Sequence, residues 1–324
     1  MITRRLLAAM LPLLLAGSRT GAAEGSFTAF LAGVRADAVA SGVAPATVDT
    51  AFAGLRPNAK VLELDSHPPE LTQSWERYRS TRVSEQRVAA GRQAMQVNGA
   101  ALAEIRRRYG VDPAVIVAIW GLESSYGGFI GGFGVIEALA SLAWDGRHNG
   151  FFRDELISAL RILDSGAVRP ARMTGSYAGA MGQPQFMPSS YLTYAVSFDG
   201  RGRGDIWDNR NDVLASIANY LAKAGWRPGE PWAQLVLVPG GFAAPRDDRR
   251  SLAAWAQLGV RRADGSAFSR PEAQGAAVLP DGPGGEAYMT YANFDAIRAY
   301  NPSDLYALSV SVLANRIAPE PHQF

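Results

Sequence analysis

Residues 112–128 restrict the fold more than any other part of the chain. Asp112 followed by Pro113 is a helix start: an N-cap side chain, then a proline that lacks the N–H which the first turn leaves unpaired. From 114 to about 126 nearly every position is apolar (Val115, Ile116, Val117, Ile119, Trp120, Leu122), and Gly127-Gly128 ends the run. A helix that is apolar on all sides has to be enclosed by the rest of a domain. Glu123 interrupts it, on the face that also carries Trp120, Ile119 and Ile116. Burial there disfavours the ionised carboxylate, and the negative end of the helix dipole acts in the same direction. Both push its pKa upward, which suits a general acid near neutral pH. Position alone favours a plainer glutamate, one that reaches solvent or makes a structural helix-end contact. The case for chemistry has to come from the surrounding sequence.

Around this helix the pattern is mostly helical. Phe27, Phe30, Leu31 and Val34 recur at three- and four-residue spacing, and 82–108 reads as one or two amphipathic helices. Pro57, Pro68 and Pro69 mark a loop between them. Beyond a glycine-rich loop at 127–134, helices are expected at 135–143 and 151–163. A loop leading into a short helix is expected over 174–194, then a helix over 212–223 closed by Gly225-Trp226. After Arg227 the texture changes to short strand-like runs at 235–238, 276–279 and 287–291. Residues 296–317 read as one returning helix. The expected fold is α+β and mainly helical. Its segments are a helical N-terminal subdomain (24–108), a core (109–226), a small β-rich insertion (227–295) and a C-terminal helix (296–324).

Composition excludes several classes. With 48% hydrophobic and 19% charged residues the chain is globular rather than disordered. Residues 1–23 stand apart: Arg4 and Arg5, an apolar run over 6–16, then small residues to Ala23, the layout of a secretory signal peptide. The run is short of the roughly 20 apolar residues that cross a bilayer. Cleavage near Ala22 or Ala23 removes Arg4, Arg5 and Arg19 with no acidic residue, taking the formal charge from +2 to −1. Nothing in that balance argues for nucleic acid. The absence of cysteine excludes disulfides, a thiolate metal site, a cysteine nucleophile and a lipidated N-terminal cysteine. The expectation is therefore a soluble periplasmic protein without a membrane anchor after cleavage. His67, His148 and His322 show no metal-ligand spacing, and neither metal nor cofactor is expected.

Four blocks carry a family resemblance. They are 118–127 (Ala-Ile-Trp-Gly-Leu-Glu-Ser-Ser-Tyr-Gly), 175–191 (Gly-Ser-Tyr-Ala-Gly-Ala-Met-Gly-Gln-Pro-Gln-Phe-Met-Pro-Ser-Ser-Tyr), 205–220 from Asp-Ile-Trp-Asp to Ser-Ile-Ala-Asn-Tyr, and Tyr300-Asn301 before Ser303 and Tyr306. In order and spacing they resemble the lytic murein transglycosylase B family over roughly 27–317. The resemblance implies a lysozyme-like catalytic core and Glu123 as the acid/base. It implies peptidoglycan glycan strands as substrate, cut between N-acetylmuramic acid and N-acetylglucosamine to leave 1,6-anhydromuramoyl ends. It also implies that Ser176, Tyr177, Gln185 and Phe186 line the sugar groove, that Tyr220 and Tyr300 pack close to the acid, and that Asn301 and Tyr78 are further groove residues. Met181, Met187 and Pro188 are expected to be framework.

Two departures matter. Where many relatives have adjacent arginines, this chain has Arg147-His148, so Arg147 is the expected contact for a stem-peptide carboxylate or a sugar group. His148 would join it only when protonated. Some relatives carry an EF-hand-like calcium loop, whereas 197–205 here reads Ser-Phe-Asp-Gly-Arg-Gly-Arg-Gly-Asp, with Arg201 and Arg203 where oxygen donors are needed. Asp199 or Asp205 is expected to pair with these arginines instead. Two rival functions remain: a lysozyme-like hydrolase using Glu123 with Asp145, Asp154 or Glu155, and a non-catalytic glycan-binding scaffold. Residues 318–324 leave no room for the appended peptidoglycan-binding module that some relatives carry. The protein is expected to act as a monomer, held to the wall by its groove or by a partner in a cell-wall enzyme complex.

Overall fold

The computed structural model describes residues 26–66, 73–245, 247–319 and 324. The expected signal peptide, His67 and His322 lie outside the described residues. In chain order come α1 (Phe27–Ala40), α2 (Pro45–Phe52), α3 (Ala59–Ser66), α4 (Trp75–Arg82), α5 (Glu85–Val97), α6 (Gly99–Tyr109) and α7 (Pro113–Ser124). There follow β1 (Phe133–Gly134), α8 (Val135–Asp145), α9 (Phe151–Asp164), β2 (Thr174–Gly175), α10 (Pro188–Tyr194) and α11 (Arg210–Lys223). The remainder is β3 (Ala233–Leu237), β4 (Arg249–Ser251), α12 (Leu252–Gln257), β5 (Arg261–Arg262), β6 (Gln274–Val278), β7 (Ala287–Thr290), α13 (Ala292–Tyr300) and α14 (Asp304–Ile317). Among the described residues no helix is long and apolar enough to cross a membrane.

The chain divides into two compact units. In the signature unit, 26–66 joins 123–216; in the sheet unit, 73–122 joins 217–324. These cuts do not follow the segment boundaries read from the sequence, because 24–108 contributes to both units.

In the signature unit the helices α1, α2, α8 and α9 assemble around Leu139, Leu142, Leu156 and Leu160, all at 0% exposure. Asn58 ties α3 to α8: its amide N–H donates to the Ser141 hydroxyl (2.8 Å) and its side-chain amide to Glu137 (3.0 Å). In the sheet unit five strands run in the order β4-β6-β7-β3-β5, each pair antiparallel. The three strand-like runs expected from the sequence are β3, β6 and β7. Their inner face meets Leu252, Trp255 and Val260 in one apolar cluster with Met289 and Tyr291.

Local chemistry sets the helix limits. Asp112 caps α7 by accepting the Ala114 N–H at 2.8 Å, and every residue of α7 from Ala114 to Ile119 has 0% exposure, as an all-round apolar helix requires. The helix ends at Ser124, short of the expected 126, because Ser125 and Tyr126 are left-handed (φ 50° and 61°) and cannot continue a right-handed turn. The expected helix over 296–317 is two helices. Asn301 breaks it in an extended conformation (φ −144°), as a residue before proline tends to, and Ser303 starts α14 by accepting the Tyr306 N–H at 3.3 Å. Likewise 82–108 is two helices, parted at Asn98, whose side chain donates to the Ala94 carbonyl at 2.7 Å.

Candidate active site

Glu123 occupies the last turn of α7 and is half-buried. The chain then turns sharply through Ser125, Tyr126 and Gly127 (φ 84°). Ser124 fastens this turn twice: its hydroxyl accepts the Gly127 N–H at 3.0 Å and its carbonyl the Phe129 N–H at 2.9 Å. Ser124 is itself 2% exposed, so this end of the helix is set firmly in the protein.

The signature block 175–191 folds as interlocked tight turns in the same unit. The Ser176 N–H donates to the Ala180 carbonyl (2.9 Å), and the Ser176 hydroxyl accepts from the Ala180 N–H (3.1 Å). Met181 and Phe186 exchange backbone hydrogen bonds at 2.8 and 3.1 Å. Gln185 sits in a left-handed conformation (φ 51°) and donates through Nε2 to the carbonyls of Ile130 (3.0 Å) and Gly182 (2.8 Å). That bond joins the block to the loop following Glu123. Tyr177 is half-buried, whereas Phe186 is 2% exposed. The Phe186 ring therefore shapes the block from beneath. Met181, Met187 and Pro188 are buried, as framework residues would be. The sequence reading missed Gln183, whose Nε2 donates to the Trp207 carbonyl at 2.7 Å and whose Oε1 would lie 2.5 Å from a Cβ on Gly127.

Glu155 has a different task. It is 4% exposed, and its two oxygens accept from the N–H and the hydroxyl of Ser189 (2.8 and 2.6 Å) at the start of α10. An acceptor at a helix start meets unpaired amides, so Glu155 is a cap. Asp145 pairs with Arg147, and Asp154 is exposed in the first turn of α9. Arg147 also meets Asp65 at 3.1 Å, and His148 Nε2 lies 3.0 Å from that same carboxylate. The bond to Asp145 holds the Arg147 pKa above its ordinary value, with Asp65 adding to it and burial opposing.

In the sheet unit, Tyr220 and Tyr300 lie with ring centroids 4.7 Å apart, and the Tyr220 hydroxyl donates to the Ala299 carbonyl at 2.6 Å. The Asn301 side-chain oxygen accepts the Ser303 N–H at 3.1 Å, which leaves its amide end for other partners. Tyr78 is 5% exposed, with the Arg82 guanidinium 5.4 Å from its ring centre.

The loop at 197–205 is held by Asp212 of α11 and by its own aspartates. Asp212 accepts the N–H groups of Phe198 (2.8 Å) and Asp205 (2.9 Å), and Asp205 those of Trp207 (2.9 Å) and Asp208 (3.0 Å). Asp199 accepts from Ser197 and from the Arg201 N–H, with the Arg201 guanidinium 4.0 Å away. Asp205 thus serves backbone amides rather than an arginine. Among the described residues no group of three or more His, Asp or Glu side chains is placed to hold a metal ion. Two arginines and a serine in the ring, with its carboxylates turned to amides, do not fit a calcium site.

A family profile described as the transglycosylase SLT domain matches residues 26–315. The membrane-bound lytic murein transglycosylase B of Escherichia coli is 32% identical over 251 residues, 76% of this chain and 68% of that protein. SltB3 of Pseudomonas aeruginosa, solved in complex with NAG-anhNAM-pentapeptide, superposes with a TM-score of 0.87 at 40% identity, over 91% of this chain and 80% of its own. The Escherichia coli lytic transglycosylase Slt35, solved in complex with calcium, superposes with a TM-score of 0.77 at 28% identity, over 89% and 92% of the two chains. The four sequence blocks, the helical fold with its small sheet and these matches agree: the chain belongs to the SLT-domain transglycosylases, in the lytic murein transglycosylase B family.

Proposed function

We propose that this protein is an exported lytic transglycosylase in which Glu123 alone serves as acid and then as base. It acts on peptidoglycan, cleaving the β-1,4 bond between N-acetylmuramic acid and N-acetylglucosamine. The observation that carries the reading is the allocation of carboxylates in the signature unit. Glu123 ends the apolar helix α7, while Glu155, the buried alternative, has both oxygens on Ser189. Two-carboxylate hydrolysis needs a second group beside the scissile bond. Of the other candidates, Asp145 is paired with Arg147 and Asp154 faces solvent.

One carboxyl group suffices when the nucleophile belongs to the substrate. Protonated Glu123 donates to the glycosidic oxygen, and the N-acetylglucosamine side leaves as an alcohol. The N-acetyl carbonyl of the muramic sugar assists at its own anomeric carbon. Glu123, now a carboxylate, takes the proton of that sugar's 6-hydroxyl as its oxygen closes on the same carbon. The product is the 1,6-anhydro ring, Glu123 is protonated again, and no water is consumed. An internal hydroxyl has a high effective concentration, which offsets the missing second carboxylate.

The family resemblance supports a strand-binding role for Ser176, Tyr177, Gln185 and Arg147 in the signature unit, and for Tyr220, Tyr300 and Asn301 in the sheet unit. Phe186 and Tyr78 are proposed as groove residues on the same resemblance, and like Tyr300 and Tyr220 they are largely buried. Secretion by the signal peptide at 1–23, residence in the periplasm and monomeric action, alone or within a cell-wall enzyme complex, complete the proposal.

The test is mass spectrometry of fragments released from purified sacculi. The expected products end in 1,6-anhydromuramic acid, and Glu123→Gln is expected to lower their release by about 10²–10⁴-fold while retaining binding. Reducing-end fragments would instead show a hydrolase. No release by folded protein would favour the scaffold.

A further inference from the structure

The strained turn after Glu123 delivers an aromatic ring into solvent. Ser125 and Tyr126 both take left-handed conformations, which a Cβ disfavours; such strain persists where its surroundings enforce it. Here the enforcement is visible. The Gly127 and Phe129 amides are tied to Ser124, the Ile130 carbonyl to Gln185, and Gly127 is packed so closely on Gln183 that a side chain would clash. The backbone is therefore fixed on both sides of Phe129. Its ring is nevertheless 71% exposed, more than Val97 (65%) or any of Leu237, Leu258 and Leu235. Leaving a phenylalanine uncovered forgoes the hydrophobic gain of burying its ring. A flexible loop could carry such a ring inward, whereas here the backbone is tied on both sides of it.

We propose that Phe129 is a stacking platform for one sugar ring of the glycan strand. This inference rests on the glycan-cleaving function proposed above and adds a specificity-determining residue to it. A pyranose offers an apolar C–H face to an aromatic ring while its hydroxyls point outward to polar groups and water. Phe129 is anchored to the carbonyl of the residue next to Glu123, so a sugar stacked on it is held in register with the acid. Gly127, Gly128, Gly131 and Gly132 flank Phe129 in the sequence; a Cβ on Gly132 would meet nothing within 4 Å, whereas Gly127 and Gly131 lie tight against Gln183 and the Gly175 carbonyl. The wider consequence is that strand register is set by the carbohydrate backbone itself, independently of the stem peptide.

Peptide-free glycan strands, presented to Glu123→Gln protein so that they are not cut, read this directly. Adding Phe129→Ala is expected to weaken binding about tenfold, and Phe129→Trp to keep it within about twofold. In the active protein Phe129→Ala is expected to raise KM by a similar factor and to change kcat by less than about twofold. An unchanged melting temperature separates contact from misfolding. Equal binding of strands with and without the Phe129 ring would overturn the proposal, as would a fall in kcat at constant KM. The binding assay does not depend on turnover. If wild-type protein releases no anhydro ends yet loses strand binding on Phe129→Ala, the proposed reaction fails and the platform stands. The converse pattern removes the platform alone.

Discussion

In the signature unit the path from Gly175 to Asp212 is mostly loop, and its fixed points are polar: Glu155 on Ser189, Asp212 on Phe198 and Asp205, Gln183 on Trp207, Gln185 on Ile130. In the sheet unit the corresponding work falls to apolar area. Leu252, Trp255, Val260 and Met289 are each at 0–1% exposure beneath five paired strands. Apolar packing is tolerant, because a different side chain of similar volume repacks at modest cost. Backbone-to-carboxylate bonding is specific, since each buried amide needs its own acceptor. The loops that follow Glu123 in the chain are thus held by contacts that fix position, whereas the core beneath the sheet is held by contacts that chiefly supply stability.

The contrast is most exposed at Gly175, where β2 meets the first signature turn. A Cβ there would lie 1.9 Å from the Ala180 carbonyl oxygen and 3.2 Å from Val135. Backbone cannot swing aside as a side-chain tip can. Gly175→Ala is expected to cost roughly 3–5 kcal/mol in urea unfolding and to abolish glycan cleavage. A loss below about 1 kcal/mol would mean that the loops yield easily, and the contrast would fail.

A smaller effect is expected at Glu155. Substitution by leucine retains most of the volume but leaves the half-buried Ser189 N–H and hydroxyl without their acceptor. The expected cost is about 2–3 kcal/mol, with activity lost in parallel as α10 loses its anchor. Full activity in Glu155→Leu at reduced stability would show that this polar anchor stabilises without positioning.

What the sequence disclosed follows the same division. The helix α7 was legible because every position repeats one message, and the three main strands because β-runs between turn residues are a local signal. The resemblance supplied Glu123, Tyr220 and Tyr300; no spacing announces that tyrosines eighty positions apart bring their ring centres within 4.7 Å. Glu155 stood as a possible second catalytic carboxylate because nothing local reveals that its partner is Ser189. The left-handed pair Ser125-Tyr126 was hidden, since neither residue type favours that conformation. Two-residue strands such as β1 and β2 are too short to show a period. Phe129 was passed over because a lone apolar residue in a loop means nothing until its exposure and restraints are seen.

The smallest expected effect tests whether a polar cluster in the sheet unit behaves as those of the signature unit do. Glu286 accepts from the Trp75 indole (2.8 Å), the Tyr288 hydroxyl (2.6 Å) and Arg79 (2.6 Å), fastening α4 beside β7. Burial pushes its carboxyl upward, but Tyr288, Trp75 and Arg79 together outweigh it and hold the pKa below the ordinary glutamate value. A carboxylate depressed in the folded state contributes stability above its unfolded pKa and loses it as pH falls through the folded one. Because the side chain is about a third exposed, solvent screens part of this, and Glu286→Gln is expected to cost about 1 kcal/mol at neutral pH. Wild type and variant should converge in acid below the glutamate range, as measured by urea unfolding across pH. Glycan cleavage should persist, because α4 is also held by Trp75, 1% exposed and edge-on to Tyr288. A loss of activity out of proportion to the loss of stability would show the sheet unit positioning residues as tightly as the signature unit does.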